Sequence, residues 1–494
     1  PVAWDEIEFL RTTRWVSQGR LPYRDFWEHH TPLQWFLFAP FDHLHGGPGI
    51  SAVIWLRWAQ VPLWVVALLY WYRWIRKSIE PTWIALLLMA LLVCSPFFTL
   101  FAIEYRIDAL ASILLILGLV TLLSEVESWK VFIAGALIGA VPMANLRLGP
   151  TVGIILLMAC YMNFHSNSWG FCHSGLWSAL GALTVWALGA LFLFSTGSWG
   201  PFWTQAWADN AAFAANVSGS GLSFWRVLGH GVEQYDIAIP VLLILALGSI
   251  ILLSRDLRKP WALHMLAVAF LANLITVYFL NIHYFYHFQT LPLLALPLAG
   301  LLLSATVKGK VGVLRSRILM VSACAIILAS LINQMAGMKT VWKEGQLDYQ
   351  DEIMREVDRL TQPDETVWGG CGFALNREPS YERWFLPLPA RSAVIAGRMR
   401  PYTADDLLGK PPAAVIFSRR TYNWCRQFTD LAVVLVRNYL PVRPQLWVPA
   451  PNGILNSENS VATWRILRTG TYSCLLYTSP SPRDRTRSRM PSSA

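Results

Sequence analysis

Polar stretches of this chain that lie beside apolar segments carry the residues best able to do chemistry. Asp5 offers a carboxylate, Arg106 a guanidinium group, and His30 and His283 offer imidazoles. A carboxylate can remove the proton of an attacking hydroxyl, and cations can stabilise the negative charge of a departing phosphate. Together these residue types predict transfer of a group from a phosphate to a hydroxyl, provided that the fold brings them together.

The same residues also have purely structural interpretations. Asp5 and Glu8 have the spacing of a capping box at the start of a helix. The charges of the loop 104–108 could form an interfacial ion pair, and Arg147 could be a lone interfacial cation rather than a further residue of the site. Tyr284, in an aromatic run, has the character of a membrane-surface anchor. At this point both interpretations stay open.

The apolar segments between these stretches predict a membrane protein. The chain has 494 residues, of which 55% are hydrophobic and only 14% charged, whereas soluble proteins are about 25% charged. About 20 apolar residues cross a bilayer, and several of the candidate spans are shorter. The ten candidates are Ser51–Trp74, Thr82–Phe101, Ala109–Leu123, Val131–Ala144, Thr151–Met162, Leu176–Ser195, Ile237–Leu253, Ala262–Leu280, Phe288–Leu303 and Ile318–Ile332.

Lysine and arginine are distributed unevenly over the loops between these spans. One alternate set of loops holds eleven of them, and the other holds three: Arg106, Arg147 and Arg226. Cytoplasmic loops of membrane proteins carry the excess of basic residues, so the eleven-residue side is predicted to be cytoplasmic. The first loop (1–50), the loops with Arg106 and Arg147, and the chain after residue 336 are then all extracytoplasmic.

The region 336–473 is polar and predicts a small extracytoplasmic α/β domain after the bundle at 51–335. Tyr349–Leu360 has helical spacing. Short strands are predicted at Glu365–Trp368, Ser392–Ala396 and Ala413–Phe417.

The cysteines and histidines only weakly indicate a disulfide or a metal site. Cys371 and Cys425 fall in the polar C-terminal region and could pair if it faces an oxidising compartment. The sequence has no CxxC or Cys/His zinc spacing. His29, His30 and the acidic residues near them leave a weak divalent-cation site open.

The sequence suggests that both ends of the chain differ from those of the natural protein. The sequence opens at Pro1 in a polar segment of the kind that follows a span, so a first native span is expected to be missing. Residues 474–494 resemble a translated adaptor sequence, and their four arginines against one aspartate contribute +3 of the formal net charge of +10. The remaining charge needs no nucleic-acid partner to explain it.

The motifs resemble a known superfamily. The first loop, with Asp5-Glu6 and then Gly19–Leu33 (GRLPYRDFWEHHTPL), resembles the GT-C fold glycosyltransferases. It is most similar to the bacterial branch of the protein O-mannosyltransferase and aminoarabinose-transferase superfamily (family 39/83-like). Glu104–Asp108 and the region from His283 to Pro292 resemble later signatures. The resemblance covers roughly residues 1–470 and implies a polytopic α-helical GT-C bundle with a C-terminal α/β domain.

The resemblance also implies roles for individual residues. Asp5 and Glu6 would be the catalytic residues, with Asp5 as the base on the acceptor hydroxyl and Glu6 helping to position donor or acceptor. Residues that would bind the donor phosphate are Arg106, His30 and His283. Residues that would position the reacting groups are Asp108, Glu104 and Tyr284. Many relatives place a phosphate-contacting lysine where His30 or Thr31 stands here.

The implied reaction is an inverting transfer from a polyprenyl-phosphate sugar donor that needs no cofactor. It would take place on the periplasmic side of a bacterial inner membrane, within membrane lipids. The acceptor would be a hydroxyl of a glycolipid, a lipopolysaccharide or a protein, and no nucleic acid would bind.

Two other classes of function compete with this one. A transporter would place charged residues or broken helices near the middle of its spans, but here the ionisable residues concentrate in the loops, Arg57 being an exception. A non-catalytic scaffold with an outer binding domain would have no reason to collect Asp5, Glu6, Arg106 and Asp108 on one face.

Overall fold

A computed structural model describes most of the chain before residue 308 and most of the C-terminal region. The described residues are 2–47, 49–124, 127–165, 169–215, 224–226, 229, 238–254, 261–280, 283–307, 317–318, 321–322, 324–329, 331–332, 335, 346–387, 390–450 and 467–468. The tail at 474–494 lies outside them.

Apolar helices make up the larger part of the fold. The chain begins with helices Trp4–Ser17 and Leu33–His45. Five helices of the described chain are long and apolar enough to cross a membrane: Ile50–Ser78, Ile107–Ser124, Trp169–Ser195, Trp261–Tyr278 and Thr290–Val307. Shorter apolar helices are Thr82–Val93, Ser128–Ala144, Gly149–His165 and Ala238–Ser254. Short helical segments, which include two 3₁₀ turns and one π-helix, are Pro96–Ile103, Leu146–Leu148, Trp199–Phe202, Trp203–Asp209, Asn210–Ala215 and Phe285–Phe288.

Most of the predicted spans coincide with single apolar helices. The exception is Thr82–Phe101, which the structure divides into Thr82–Val93 and Pro96–Ile103. Ser95 starts the second piece, because its hydroxyl accepts a hydrogen bond from the Phe98 amide at 3.2 Å, as an N-cap does. The last predicted span, 318–332, lies only partly within the described residues.

Glycines let two of the apolar helices approach each other closely. Gly135 and Gly139 lie one turn apart on helix Ser128–Ala144 and face helix Trp169–Ser195. A Cβ on Gly135 would overlap the backbone of Ser178, and one on Gly139 would meet the backbone of Ala182. This small-residue contact is a common way of packing helices where lipid removes the hydrophobic driving force.

The C-terminal α/β domain is built on a five-stranded sheet. Its strands are β1 (Thr366–Trp368), β2 (Glu378–Pro379), β3 (Ala414–Ile416), β4 (Tyr439–Arg443) and β5 (Leu446–Pro449). They lie in the order β2-β1-β3-β5-β4, with β1 parallel to β2 and β3, and β5 antiparallel to β3 and β4. The helices of the domain are Gln346–Leu360, Ala390–Ile395, Ala404–Gly409, Arg419–Gln427 and Thr429–Asn438.

The sequence-based elements of this domain are confirmed with one exception. The helix ending at Leu360 and strands β1 and β3 are present. The strand predicted at Ser392–Ala396 is wrong, because Ala390–Ile395 is a helix that follows a turn from Pro387. A short apolar run fits either structure, and periodicity alone does not separate them.

The two cysteines of this domain do not form the disulfide that was considered possible. Cys371 and Cys425 are both buried free thiols, and Cys371 Sγ lies 3.2 Å from Ser418 Oγ. Burial raises the pKa of Cys371 to about 11 and that of Cys425 to about 12. Both thiols are therefore protonated and unreactive at neutral pH.

The α/β domain packs directly on the first helix and the first loop. The Arg11 guanidinium donates to the Arg377 carbonyl at 2.6 Å. The Trp384 indole donates to the Trp27 carbonyl at 2.9 Å, and the Gln350 amide donates to the Val2 carbonyl at 2.9 Å. These contacts bring residues of the α/β domain next to residues of the first helix and the first loop, although they are distant in sequence.

Candidate active site

A cavity of about 950 Å³ lies between the first helix, the loops at the ends of the apolar helices and the α/β domain. Its polar lining is Asp5, Glu8, His29, His30, Thr31, Arg106, Asp108, Asn145, Arg147, Asn210, Thr276, Tyr284, Tyr286, His287 and Arg420. Much of the remaining wall is apolar and includes Phe9, Ile107, Leu146, Ile275, Phe279, Leu280 and Phe385. The volume is at the upper end of the range of about 300–1,000 Å³ seen for small-molecule sites.

The first helix presents Asp5 to this cavity. The helix begins at Trp4, and Glu6 Oε2 accepts a hydrogen bond from the Ala3 amide at 2.9 Å. The structural alternative, in which Asp5 caps the helix and Glu8 closes a capping box, is therefore wrong, because Glu6 is the carboxylate that satisfies the helix N-terminus. Asp5 is left free to point towards the cavity.

Two arginines hold the Asp5 carboxylate. Oδ2 accepts from Arg106 Nη1 at 3.1 Å, and Oδ1 accepts from Arg420 Nη2 at 3.4 Å. Burial alone would raise the pKa of Asp5, but the two guanidinium groups together outweigh it and hold this pKa below its usual range. The Asp5 carboxyl is therefore ionised at neutral pH and can accept a proton. Its side chain is 27% exposed, so a ligand in the cavity can reach it.

Arg106 and Arg147 form one ion-paired network with Asp108. Arg106 Nε lies 3.5 Å from Asp108 Oδ2, and the other Asp108 oxygen accepts from Arg147 and, at 2.9 Å, from the Asn145 amide. The Arg106 guanidinium also lies 3.8 Å from the centre of the Tyr286 ring. Arg147 is thus part of the cavity wall and not a lone interfacial cation.

Glu6 lies outside the cavity lining and has a different environment from Asp5. Its carboxylate is fully buried and accepts from Arg57 Nε at 2.7 Å and from the Tyr105 amide at 2.7 Å. These bonds connect the first helix to the helix of Arg57 and to the loop that carries Arg106. Glu6 therefore anchors the start of the first helix, and in this way it fixes the position of the neighbouring Asp5.

Removing the partner of Glu6 is expected to destabilise the protein. Arg57→Met leaves a buried carboxylate without its counter-ion, a change that costs about 3 kcal/mol or more. The matched control is Lys130→Met, which removes an exposed pair with Glu127 worth about 0–1 kcal/mol. The apparent melting temperature in detergent should fall by several degrees for Arg57→Met and hardly change for the control. Equal shifts would contradict this role of Glu6.

Glu104 also lies outside the cavity lining, behind Arg106. Its Oε2 is 3.6 Å from Arg106 Nη1 and has no hydrogen-bond partner among the described residues. Burial, helped by repulsion from Glu6 and Asp5, raises the pKa of Glu104 to about 7 against the attraction of Arg106. Glu104 therefore titrates near neutral pH beside the arginine that binds Asp5.

The aromatic loop contributes Tyr284, Tyr286 and His287 to the cavity lining, and His283 lies outside that lining. His283 is buried, with Nε2 3.3 Å from the Tyr278 carbonyl oxygen. The rings of Tyr284 and Tyr286 stack with their centres 5.3 Å apart. His287 lies in the 3₁₀ turn Phe285–Phe288 and lines the cavity, whereas the predicted phosphate-binding residue His283 does not.

His30 reaches the cavity on an extended segment of the first loop. Its Nδ1 lies 2.9 Å from Glu28 Oε1, and Glu28 also accepts from the amides of His29 and His30. The Asn210 amide donates to the His29 carbonyl at 2.5 Å. The helix Asn210–Ala215 therefore helps to hold this segment in place.

Arg420 was not identified from the sequence. It lies in helix Arg419–Gln427 of the α/β domain, 415 residues from Asp5, and its guanidinium packs 4.0 Å from the centre of the Phe385 ring. No local motif marks it, because its neighbour Arg419 has the same chemistry and is exposed. Only the packing of the domain on the first helix reveals its position.

Three arginines of the cavity have hydrogen-bond donors without acceptors. Within the described part of the chain, Arg106 Nε, Arg147 Nε and Arg420 Nη1 are buried and make no hydrogen bond. Buried polar groups in native proteins almost always have a partner, so each exception needs an explanation. An anion with several oxygen acceptors, such as a phosphate, would satisfy such donors.

The chain is a multi-pass helical membrane protein with the GT-C fold. A solved structure with this architecture is that of ArnT, an aminoarabinose transferase, from Cupriavidus metallidurans, bound to undecaprenyl phosphate. The two share 13% sequence identity and superpose with a TM-score of 0.57 over 90% of this chain and 93% of that one. This similarity confirms the predicted fold class. No family model matches the sequence, and no curated protein does.

Proposed function

We propose that this protein transfers a sugar from a polyprenyl-phosphate donor to an acceptor hydroxyl in the cavity described above. The observation that carries the proposal is the meeting of one accessible carboxylate, Asp5, with three arginines that have buried unsatisfied donors. ArnT, which has the same fold, is a protein whose structure contains undecaprenyl phosphate. A phosphate with a long apolar tail suits a cavity that combines a connected cluster of charged side chains with a largely apolar wall.

In the proposed reaction Asp5 accepts the proton of the acceptor hydroxyl. The hydroxyl oxygen forms a bond to the anomeric carbon while the bond from that carbon to the phosphate oxygen breaks. The electron pair leaves with the polyprenyl phosphate, whose added charge Arg106, Arg147 and Arg420 stabilise. A single displacement of this kind inverts the configuration at the anomeric carbon. It needs no metal or other cofactor at the reacting atoms.

The positions of the other residues support assisting roles. Asp108 holds Arg106 and Arg147 in place, and Tyr286 packs against the Arg106 guanidinium. Tyr284 and His30 line the cavity within reach of a bound donor. The charge bias of the loops supports an extracytoplasmic site. The resemblance of the motifs supports a bacterial inner membrane, with a glycolipid, lipopolysaccharide or protein as acceptor.

The proposal is tested by incubating membranes that contain the protein with a panel of radiolabelled polyprenyl-phosphate sugars. One donor is expected to label a lipid, lipopolysaccharide or protein fraction, and the labelled product should carry the anomer opposite to that of the donor. Absence of labelling with every donor, or a product with retained configuration, would contradict the proposed reaction.

Arg420→Gln is expected to weaken use of the donor. Loss of a hydrogen bond to a charged group costs about 1.5–3 kcal/mol, so KM for the donor should rise by about 10- to 100-fold. The variant also removes a cation from Asp5, which raises the pKa of that carboxyl and moves the acid limb of the rate profile to higher pH. Rates measured from pH 4 to 8 check both effects.

The matched control for this prediction is Arg419→Gln. Arg419 is the preceding residue of the same helix and is exposed, so its replacement changes the net charge equally without touching the cavity. Unchanged KM and pH profile are expected for it. If both variants behave alike, Arg420 has no specific contact with donor or base.

A further inference from the structure

Two glutamates and two histidines come together in a buried cluster at one wall of the cavity. They are Glu8 on the first helix and Glu28, His29 and His30 on the first loop. One ligand atom of each lies within 4.8 Å of the corresponding atoms of the other three. We propose that this cluster binds a divalent transition-metal ion, and that zinc fits it best.

The spacing of the four ligand atoms is close to that of a tetrahedral site. Zinc binds nitrogen and oxygen at about 2.0–2.1 Å, which places neighbouring ligand atoms of a tetrahedron about 3.4 Å apart. His30 Nδ1 lies 2.9 Å from Glu28 Oε1 and 3.7 Å from Glu8 Oε1. His29 Nδ1 lies 3.6 Å from Glu8 Oε1 and 3.9 Å from Glu28 Oε1. These four distances lie within about half an ångström of the tetrahedral value, and the ligand atoms of all four side chains lie within 4.8 Å of one another.

Glu8 supplies an independent indication of a ligand. Its side chain is 2% exposed, and its Oε1 makes no hydrogen bond to any described residue. This oxygen points at both histidine nitrogens, so it is aimed into the cluster. Burial, and then repulsion by Glu28 and Asp5, raise the pKa of Glu8 well above its usual range. A bound dication would compensate both the burial and the repulsion.

The other ligands are already oriented as metal ligands require. Glu28 Oε2 accepts from Thr12 Oγ1 at 2.7 Å, and the backbone amides of His29 and His30 donate to Oε1 at 2.9 Å. The bond from Thr12 is made to the carboxylate oxygen that does not face the histidines, and a contact of this kind orients a carboxylate that binds a metal. The His29 ring stacks on Trp27 with their centres 4.9 Å apart. Burial also lowers the pKa of His29 well below its usual range, which favours the neutral imidazole that binds metals.

The ion would connect the first helix to the first loop beside the proposed base. Glu8 and Asp5 lie three residues apart and therefore on the same face of the helix. The ion would fix the wall that carries Asp5 and would take no part in breaking or forming bonds. This inference goes beyond the proposed function and does not depend on it.

Metal content tests the proposal without any activity assay. The protein is purified through an affinity tag without histidine, dialysed, and analysed for bound metals by mass spectrometry. One zinc per chain is expected for the natural sequence, and less than a tenth of that for the double variant Glu8→Gln/His29→Gln. The matched control is His43→Gln/Glu382→Gln, in which both replaced side chains are exposed; it should retain the zinc.

Cobalt provides a second measurement that needs no variant. After removal of metal with a chelator, titration with Co²⁺ should produce the strong visible absorption of a tetrahedral site, saturate at one ion per chain, and be reversed by zinc. Its apparent affinity should fall as the pH is lowered, because Glu8 must lose its proton to bind. A titration without this absorption, or zinc retained by Glu8→Gln/His29→Gln as in the control, would overturn the proposal.

Discussion

Replacing Asp5 with asparagine is expected to lower the rate of sugar transfer by about 10²–10⁴-fold, the range that a positioned general base contributes. Asparagine has nearly the same shape and keeps an oxygen for Arg106 or Arg420, but it cannot take the proton of the acceptor. The loss should appear in kcat. Binding of polyprenyl phosphate should persist or become tighter, because the variant removes a negative charge that competes for both arginines.

The control for this variant lies in the same loop. Asp25 is exposed and pairs with Arg24, and Asp25→Asn should leave the rate within about twofold of the natural protein, as for most surface substitutions. Both variants are compared in nanodiscs with the labelled donor found in the membrane assay. Wild-type transfer by Asp5→Asn would remove Asp5 from the mechanism. Solute flux that persists in Asp5→Asn without any transfer would instead favour a transporter.

Arg106→Gln is expected to have the second large effect. The phosphate would lose charge-assisted hydrogen bonds of about 1.5–3 kcal/mol each, and Asp5 and Asp108 would lose a shared cation. Two such bonds correspond to a loss of about 10²-fold or more in kcat/KM. The main change should be in KM for the donor, measured by initial rates over a range of donor concentrations.

Two further variants make this prediction specific. Arg106→Lys keeps the positive charge but loses the planar fork, so it should recover only part of the activity. Arg24→Gln removes an exposed arginine of the first loop and should leave KM unchanged. Full activity in Arg106→Lys would show that charge alone matters, and an unchanged KM in Arg106→Gln would exclude Arg106 from donor binding.

The sequence could predict a polytopic α-helical membrane protein, because this class depends on composition and on the length of apolar runs. These signals are strong over 20 residues and do not require tertiary contacts. The break at Ser95-Pro96 and the helix at Ala390–Ile395 were missed because short apolar runs leave the choice open.

The site was predicted in part. Asp5, His30, Arg106, Asp108 and Tyr284 all line the cavity, and their roles there stay predictions. Asp5 and Glu6 could not be separated by type or spacing. Successive residues of a helix point about 100° apart, so only one of the two could face the cavity, and tertiary contacts decide which one.

Other residues of the cavity gave no usable signal, or a misleading one. The local sequence does not distinguish His287, which lines the cavity from the 3₁₀ turn Phe285–Phe288, from His283, which lies outside the lining. Arg420 required knowledge of how the α/β domain packs on the first helix. Glu8, Glu28, His29 and His30 come from two segments that are 20 residues apart at their closest, and their spacing matches no known metal motif.

The position of the donor phosphate can be measured in a cryo-electron microscopy structure of the protein in nanodiscs with polyprenyl phosphate. We expect the phosphate within hydrogen-bonding distance of Arg106 and of at least one of Arg147 and Arg420, with Asp5 facing the space where a sugar would lie. A phosphate bound elsewhere, with the pairing of Asp5 to both arginines unchanged, would contradict this expectation.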